Sequence, residues 1–299
     1  MFPHTHHSIA RLFNEAGLPA GVLNVIQSQR EDAAVATETL IAHPHIRKTE
    51  FIGSANVGAR IGALAGKYLK PVLMELGGKG AALVLDDADL ELAANAAVRC
   101  GFIHHVQICF STDRVIVDAK VYDQFMPLLK KAAESFPPAS AVTPAGPART
   151  LGLLQEAVAK GARVLCGEVK LLAPDTLQPV VITGVTPEME IYDEEGFGPT
   201  LQVYVVNTDD EAIELVNSSK YGMTSAVYSK DVCRALRVAR ELDVELISIN
   251  HPMATVGNDA NHPGSLTKAS GGGRIGFLHI QAVAIVDPTE SMAGQAAAN

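Results

Sequence analysis

The chain has 299 residues, 47% of them hydrophobic and 19% charged, which excludes a disordered chain and leaves room for about two domains. Lys and Arg number 24 against 33 Asp and Glu, a formal net charge of −9, which argues against nucleic acid or an anionic membrane as partner. Four Cys without framework spacing point to a reducing, cytoplasmic compartment, no apolar run approaches about 18 residues, and the first residues lack the pattern of a signal peptide.

Apolar residues at helical spacing predict a helix over 8–16, stopped by Gly17. A short buried strand is expected over 21–26, a helix over 33–42, a strand over 48–52, a small-residue helix over 56–66 and a strand over 72–76. Strands alternating with helices imply parallel βαβ units and a doubly wound sheet. A second block opens near Gly80, with a strand over 81–85 and an acidic turn, Asp86 to Asp89, capping a helix to about Gly101. A strand over 115–117 and a helix over 122–135 follow, then a loop over 137–147 rich in Pro, Ala and Ser. Helices over 151–160, 209–218 and 232–242 alternate with strands over 163–166, 180–183, 201–206, 226–228 and 246–250. The stretch 258–273 reads as an irregular loop and 288–299 as a disordered tail.

Chemistry is expected where strands end in glycines. Gly53 and Ser54 follow a strand and precede a helix, where free backbone N–H groups form an anion site. Glu75, before Leu76, Gly77, Gly78 and Lys79, is a carboxylate at a strand's carboxyl end, placed to act as a general base. Cys109 lies on a connection between a helix and a strand, whereas Cys100, Cys166 and Cys233 read as inert core thiols. Glu194-Glu195-Gly196-Phe197-Gly198-Pro199 is a loop whose carboxylates could hold a ribose hydroxyl. Each feature alone also reads blandly: a plain βα turn, a Glu75–Lys79 pair, a surface turn. His104 and His105 beside Cys109 lack a third ligand at metal spacing, so no metal site is expected.

Taken in order, Phe51-Ile52-Gly53-Ser54, Glu75-Leu76-Gly77-Gly78-Lys79, Gln107-Ile108-Cys109 and Glu195-Gly196-Phe197-Gly198-Pro199 resemble the aldehyde dehydrogenase superfamily. Phe13 to Pro19, Gly21 to Ile26, Asp86 to Leu90 and Tyr221 to Val227 fit the same pattern. The residues around Cys109 are most similar to the salicylaldehyde and vanillin dehydrogenase branch. The resemblance runs from about residue 8 to about residue 287.

It implies an α/β fold, a partial doubly wound cofactor-binding sheet plus an α/β catalytic domain. The implied divisions are 1–79 for the back half of the dinucleotide-binding domain, 80–257 for the thiol domain and 258–287 for a segment returning to the cofactor domain. Cys109 would be the nucleophile, forming a thiohemiacetal and then a thioester, with its own backbone N–H as half of an oxyanion hole. Glu75 would activate the hydrolytic water. Gly53, Ser54, Gly58, Leu76, Glu195 and Phe197 would hold NAD or NADP, with Glu195 on the nicotinamide ribose and Phe197 against the nicotinamide. The substrate implied is an aromatic aldehyde, and a homo- or hetero-oligomer is compatible with the pattern.

Departures from the family pattern set further expectations. The Pro-Trp-Asn motif and the following Lys strand have no counterpart, and Trp is absent from the sequence, so the chain reads as N-terminally truncated by roughly two strands. Cofactor binding would be weakened accordingly. Val106 stands where the family has a Gly before Gln-x-Cys, and a left-handed backbone there would displace Cys109. Two alternative readings follow: a catalytically impaired remnant serving as scaffold or partner subunit, and a cofactor-independent thiol esterase.

Overall fold

A computed structural model describes residues 3–252, 268–272 and 282–285. Most of the expected 258–287 segment and the whole 288–299 tail lie outside the described residues. Backbone contacts divide the chain into two compact units, residues 1–49 with 61–71, and residues 50–60 with 72 onward.

In the first unit, α1 (Pro3–Glu15) begins earlier than its apolar spacing predicts and ends at Gly17, whose φ of +92° suits a residue without Cβ. The α2 helix (Ala33–Ala42) has the predicted bounds. Glu38 binds Lys67 Nζ at 2.9 Å and the Tyr68 hydroxyl at 3.1 Å, and Lys70 Nζ donates to the His43 carbonyl at 2.7 Å. The strand expected over 21–26 does not form. A strand exists only through a ladder partner, and this stretch has none among the described residues; Val22, Leu23, Val25 and Ile26 are exposed.

Strand β1 (Thr49–Ile52) leads into α3 (Ala55–Lys67), and β2 (Val72–Glu75) follows. The nearby strands are β3 (Gly80–Val84), β4 (Thr112–Asp118), β5 (Arg163–Cys166), β6 (Leu171–Ala173), β7 (Thr176–Leu177), β8 (Val180–Thr183), β9 (Thr200–Val206), β10 (Thr224–Tyr228), β11 (Leu246–Ile249), β12 (Gly271–Gly272) and β13 (Ala282–Ile285). Strands β1, β2 and β12 form a three-stranded sheet, in which β12 runs antiparallel to β2.

The main sheet has eight strands in the order β13-β11-β10-β3-β4-β9-β8-β5, all neighbours parallel except β5 on β8. Parallel strands need cover on both faces, and β3 shows how that is met. Its Ala82 and Val84 join the cluster with α4 (Leu90–Phe102) and α5 (Tyr122–Ser135), while Ala81 and Leu83 join α7 (Asp209–Asn217) and α8 (Val232–Glu241) on the other face. A third cluster lies between α6 (Ala145–Ala159) and β8.

Local chemistry starts these helices. Asp89 accepts from the Leu92 N–H, Thr208 from Glu211 and Asp231 from Arg234, each an N-cap bond worth about 1 kcal/mol. Two expectations need correction. The α6 helix starts at Ala145, inside the expected loop, because Pro147 sits in its first turn, where a missing N–H costs nothing. The β6–β7 hairpin was not expected, since strands of three and two residues are too short to show a period. Cys100 and Cys166 are buried as expected, but Cys233 is exposed, because α8 turns Ala235, Val238 and Ala239 inward.

Candidate active site around Cys109

Cys109 lies between a 3-10 turn (Ile103–Val106) and β4, and is partly buried. The turn is unusual. His104, His105 and Val106 have φ of 52°, 56° and 56°, all left-handed. For a β-branched residue this region costs on the order of 1–2 kcal/mol. Val106 thus adopts the backbone expected of the missing Gly. What opposes the strain is burial: the Val106 side chain is fully buried, and His105 holds the Ala139 carbonyl through Nδ1 at 2.8 Å. Gln107 Oε1 accepts from the Val142 N–H at 2.8 Å, which fixes the residue just before Ile108 and Cys109.

Glu75 ends β2, close enough for its charge to act on the Cys109 thiol. A Cβ on Gly78 would collide with the Cys109 carbonyl oxygen, and one on Gly77 would lie 2.5 Å from Glu195 Oε2. The two glycines therefore let the Cys109 backbone and the Glu195 carboxylate approach the same turn. The Gly78 N–H donates to Glu195 Oε1 at 2.9 Å. Burial is the main cause that pushes the Glu195 carboxyl up to about 7, opposed by that bond from Gly78. Burial also raises the Cys109 thiol above its ordinary range, and the negative charges of Glu195 and Glu75 add to this. The N–H groups of Cys109 and Phe110 face the sulfur and pull the other way.

The predicted cofactor residues divide in two. Gly53, Ser54, Gly58 and Leu76 surround the start of α3. The Ser54 carbonyl accepts from Val57 and Gly58, and the Gly53 N–H donates to the Glu75 carbonyl at 3.1 Å. A Cβ on Gly58 would meet Leu76 Cδ2 at 2.6 Å, so Gly58 is where α3 closes on Leu76. Above Gly53 the space belongs to the Phe51 ring, 2.5 Å from the place of a Cβ. At Gly53 the missing Cβ leaves room for the Phe51 ring. Beside it, a groove of about 550 Å³ is lined by Ala55, Ala59, Met74, Leu76, Lys268 and Gly271. Glu195 and Phe197 lie on the loop before β9, and Phe197 has a left-handed φ of 53°.

Sequence reasoning missed the residues that hold this loop. Lys79 is buried, 3.4 Å from Asp113 Oδ1, and its Nζ donates to the Glu194 carbonyl at 2.7 Å. Burial lowers the Lys79 ammonium and raises the Asp113 carboxyl, while their mutual attraction opposes both shifts. Arg149 donates to the Glu195 carbonyl at 2.7 Å and to Glu194 Oε2 at 3.3 Å. Thr150 Oγ1 donates to the Gly196 carbonyl at 2.7 Å. A polar residue directly after Gly-Gly and a charged one inside a buried strand were the available signals for Lys79 and Asp113. Arg149 and Thr150 gave none.

The same architecture occurs in known proteins. A model of the aldehyde dehydrogenase family matches residues 2–283. The chain belongs to the aldehyde dehydrogenase family. It is 40% identical over 287 residues to the vanillin dehydrogenase of Pseudomonas fluorescens, covering 92% of this chain and 58% of that protein. It is 40% identical over 284 residues to the salicylaldehyde dehydrogenase of Pseudomonas putida, covering 91% and 58%. The crystal structure of a salicylaldehyde dehydrogenase from Pseudomonas putida G7 complexed with salicylaldehyde superposes with a TM-score of 0.86 at 38% identity, covering 91% of this chain and 58% of that one. The chain thus spans a little under three-fifths of the length of these relatives. Among the described residues, no helix is long and apolar enough to cross a membrane.

Proposed function

We propose that the Cys109 site oxidises an aromatic aldehyde to its carboxylic acid with a nicotinamide cofactor. The observation that carries this reading is the convergence of Cys109, Gly77–Gly78 and Glu195 on one turn at the end of the strand that carries Glu75. The relatives named for vanillin and salicylaldehyde support the aromatic substrate.

In this reading the Cys109 sulfur adds to the carbonyl carbon, and the thiol proton passes to solvent water. The Cys109 N–H would donate to the oxygen that gains charge once the sulfur is bonded to carbon, which is where a donor is most effective. The thiol of the resting site is raised, so the proton must be taken as the S–C bond forms rather than before it. Glu75 then removes a proton from water, which attacks the thioester; the C–S bond breaks and the acid leaves.

The residues fit a dinucleotide. Glu195 is a buried acceptor for a sugar hydroxyl, and the Ser54 turn opens the N-terminus of α3 beside an apolar groove. Gly53, Ser54, Gly58 and Leu76 would hold the cofactor at that groove, and Glu195 with Phe197 would hold its nicotinamide end. When bound, NAD or NADP supplies the hydride acceptor that converts the thiohemiacetal to the thioester.

The test is aldehyde-dependent formation of NADH or NADPH by the full chain, with salicylaldehyde, vanillin and succinic semialdehyde compared. Turnover that favours the aromatic aldehydes and vanishes in Cys109→Ala is expected. No turnover with either cofactor would overturn the reading. Hydrolysis of an activated ester by Cys109 without cofactor would then favour the thiol esterase.

A further inference from the structure

The loop carrying Glu195 is gripped in an unusual way. Its successive carbonyls, Glu194, Glu195 and Gly196, accept from Lys79 Nζ, Arg149 and Thr150 Oγ1, each at 2.7 Å. The Gly196 N–H faces the Asp113 carboxylate. Side chains from the residue before β3, from β4 and from α6 therefore converge on one short stretch, Lys79, Arg149 and Thr150 as donors and Asp113 as acceptor. An irregular loop at a protein surface more often satisfies its carbonyls with water. Here the side chains do it, and Lys79 directly follows the Gly77–Gly78 turn on which the Glu195 carboxylate rests.

Arg149 differs from its companions. Lys79 and Asp113 are fully enclosed, whereas the Arg149 side chain is half exposed. Its ion pair with Glu194 is a surface pair, worth little to stability. Its bond to the Glu195 carbonyl fixes the backbone of the residue whose carboxylate lies beside Cys109.

We propose that Arg149 is a positioning residue, which closes the clamp formed by Lys79, Asp113 and Thr150 and holds the Glu195 carboxylate against the Gly78 N–H, where it restrains the Cys109 thiol. The proposal rests on the reading of Cys109 and Glu195 given above. Without Arg149 the Glu195 backbone is released on one side, the carboxylate leaves the turn, and the thiol gains both solvent and thiolate character.

The test is alkylation of Cys109 by iodoacetamide at fixed pH in the full chain without cofactor, with hydrogen exchange of the 194–198 amides measured on the same samples. Arg149→Ala should alkylate about three- to tenfold faster, the effect of half to one unit in a thiol pKa, and its 194–198 amides should exchange faster. Arg149→Lys should restore part of the slow rate. Glu195→Gln should also speed alkylation, and the double variant should be no faster than Glu195→Gln alone, since Arg149 acts through Glu195. An Arg149→Ala rate equal to wild type overturns the proposal. So does a double variant whose gains multiply. A chain that obeys this cycle yet forms no NADH or NADPH supports the clamp and overturns only the oxidation reading.

Discussion

The two compact units of this chain differ in their elements and in their burial: the first is helical, the second carries the strands. In the unit of residues 1–49 and 61–71, the buried apolar side chains among the described residues are Ile41, Ile61 and Ala65, while Ile9, Leu12, Phe13, Leu23, Ile26 and Leu69 are exposed. In the other unit, both faces of the eight-stranded sheet carry continuous clusters, with Leu83, Phe125, Leu154 and Ile247 fully buried. Helices appear in both, because helical hydrogen bonds close within the segment. Strands appear where a neighbour completes the ladder, which is why 180–183 pairs on both sides and 21–26 stays irregular. The proposed site follows the second pattern: Glu75, Cys109 and Glu195 all lie in the well-buried unit.

This contrast predicts unequal responses to truncation. Phe125→Ala should cost about 3–5 kcal/mol in urea unfolding, because a fully buried ring leaves a cavity. Phe13→Ala, at a ring that is half exposed, should stay within about 0.5 kcal/mol. Equal costs would break the distinction between the units.

A smaller effect sharpens it at the site. The Glu195 carboxyl is held near 7 against an ordinary 4.5, so the folded chain binds its proton more tightly than the unfolded chain does. Its contribution to stability is full below about pH 4.5 and is lost as pH rises through about 7. Between about pH 5 and pH 8, wild type should therefore lose about 2 kcal/mol relative to Glu195→Gln, measured by urea midpoints. Parallel profiles would show that Glu195 is solvated.

The smallest effect lies at the far end of the main sheet. Lys120 and Arg234 hold the Asp86 carboxyl at about 2 against an ordinary 3.8. Stability from this group is present above 3.8 and is lost as pH falls through about 2. Asp86→Asn should cost about 1 kcal/mol at neutral pH, and the difference should vanish near pH 2. A cost that persists in acid would point to packing instead of charge.

Much of this was legible in the sequence. The bounds of α2, α5, β5 and β8 follow from apolar period and flanking breakers. Glu75 and Glu195 stood out through the glycines beside them and Cys109 through its place between a helix and a strand, and Gly77 and Gly78 prove to be where the Glu195 carboxylate and the Cys109 backbone approach one turn. The family's Gly at the position of Val106 pointed to a left-handed backbone that a β-branched residue was expected to refuse, and Val106 adopts it. What stayed hidden was non-local. Arg149 meets the loop 46 residues away and Lys79 meets it 115 away, through backbone carbonyls that no side-chain pattern reveals. The strand over 21–26 failed for the same reason in reverse: its own pattern was right, but strand formation depends on a partner elsewhere.

The most direct measurement bears on Cys109 as a nucleophile whose thioester is cleared by water that Glu75 activates. The direct measurement is the mass of the Cys109 peptide after the full chain is mixed with salicylaldehyde and NAD or NADP and quenched in acid. Glu75→Gln should accumulate a salicyl thioester on Cys109 to near one equivalent, while wild type carries far less because water clears it. A Glu75→Gln chain with no adduct on Cys109, or with no more than wild type, would rule out these roles for the two residues.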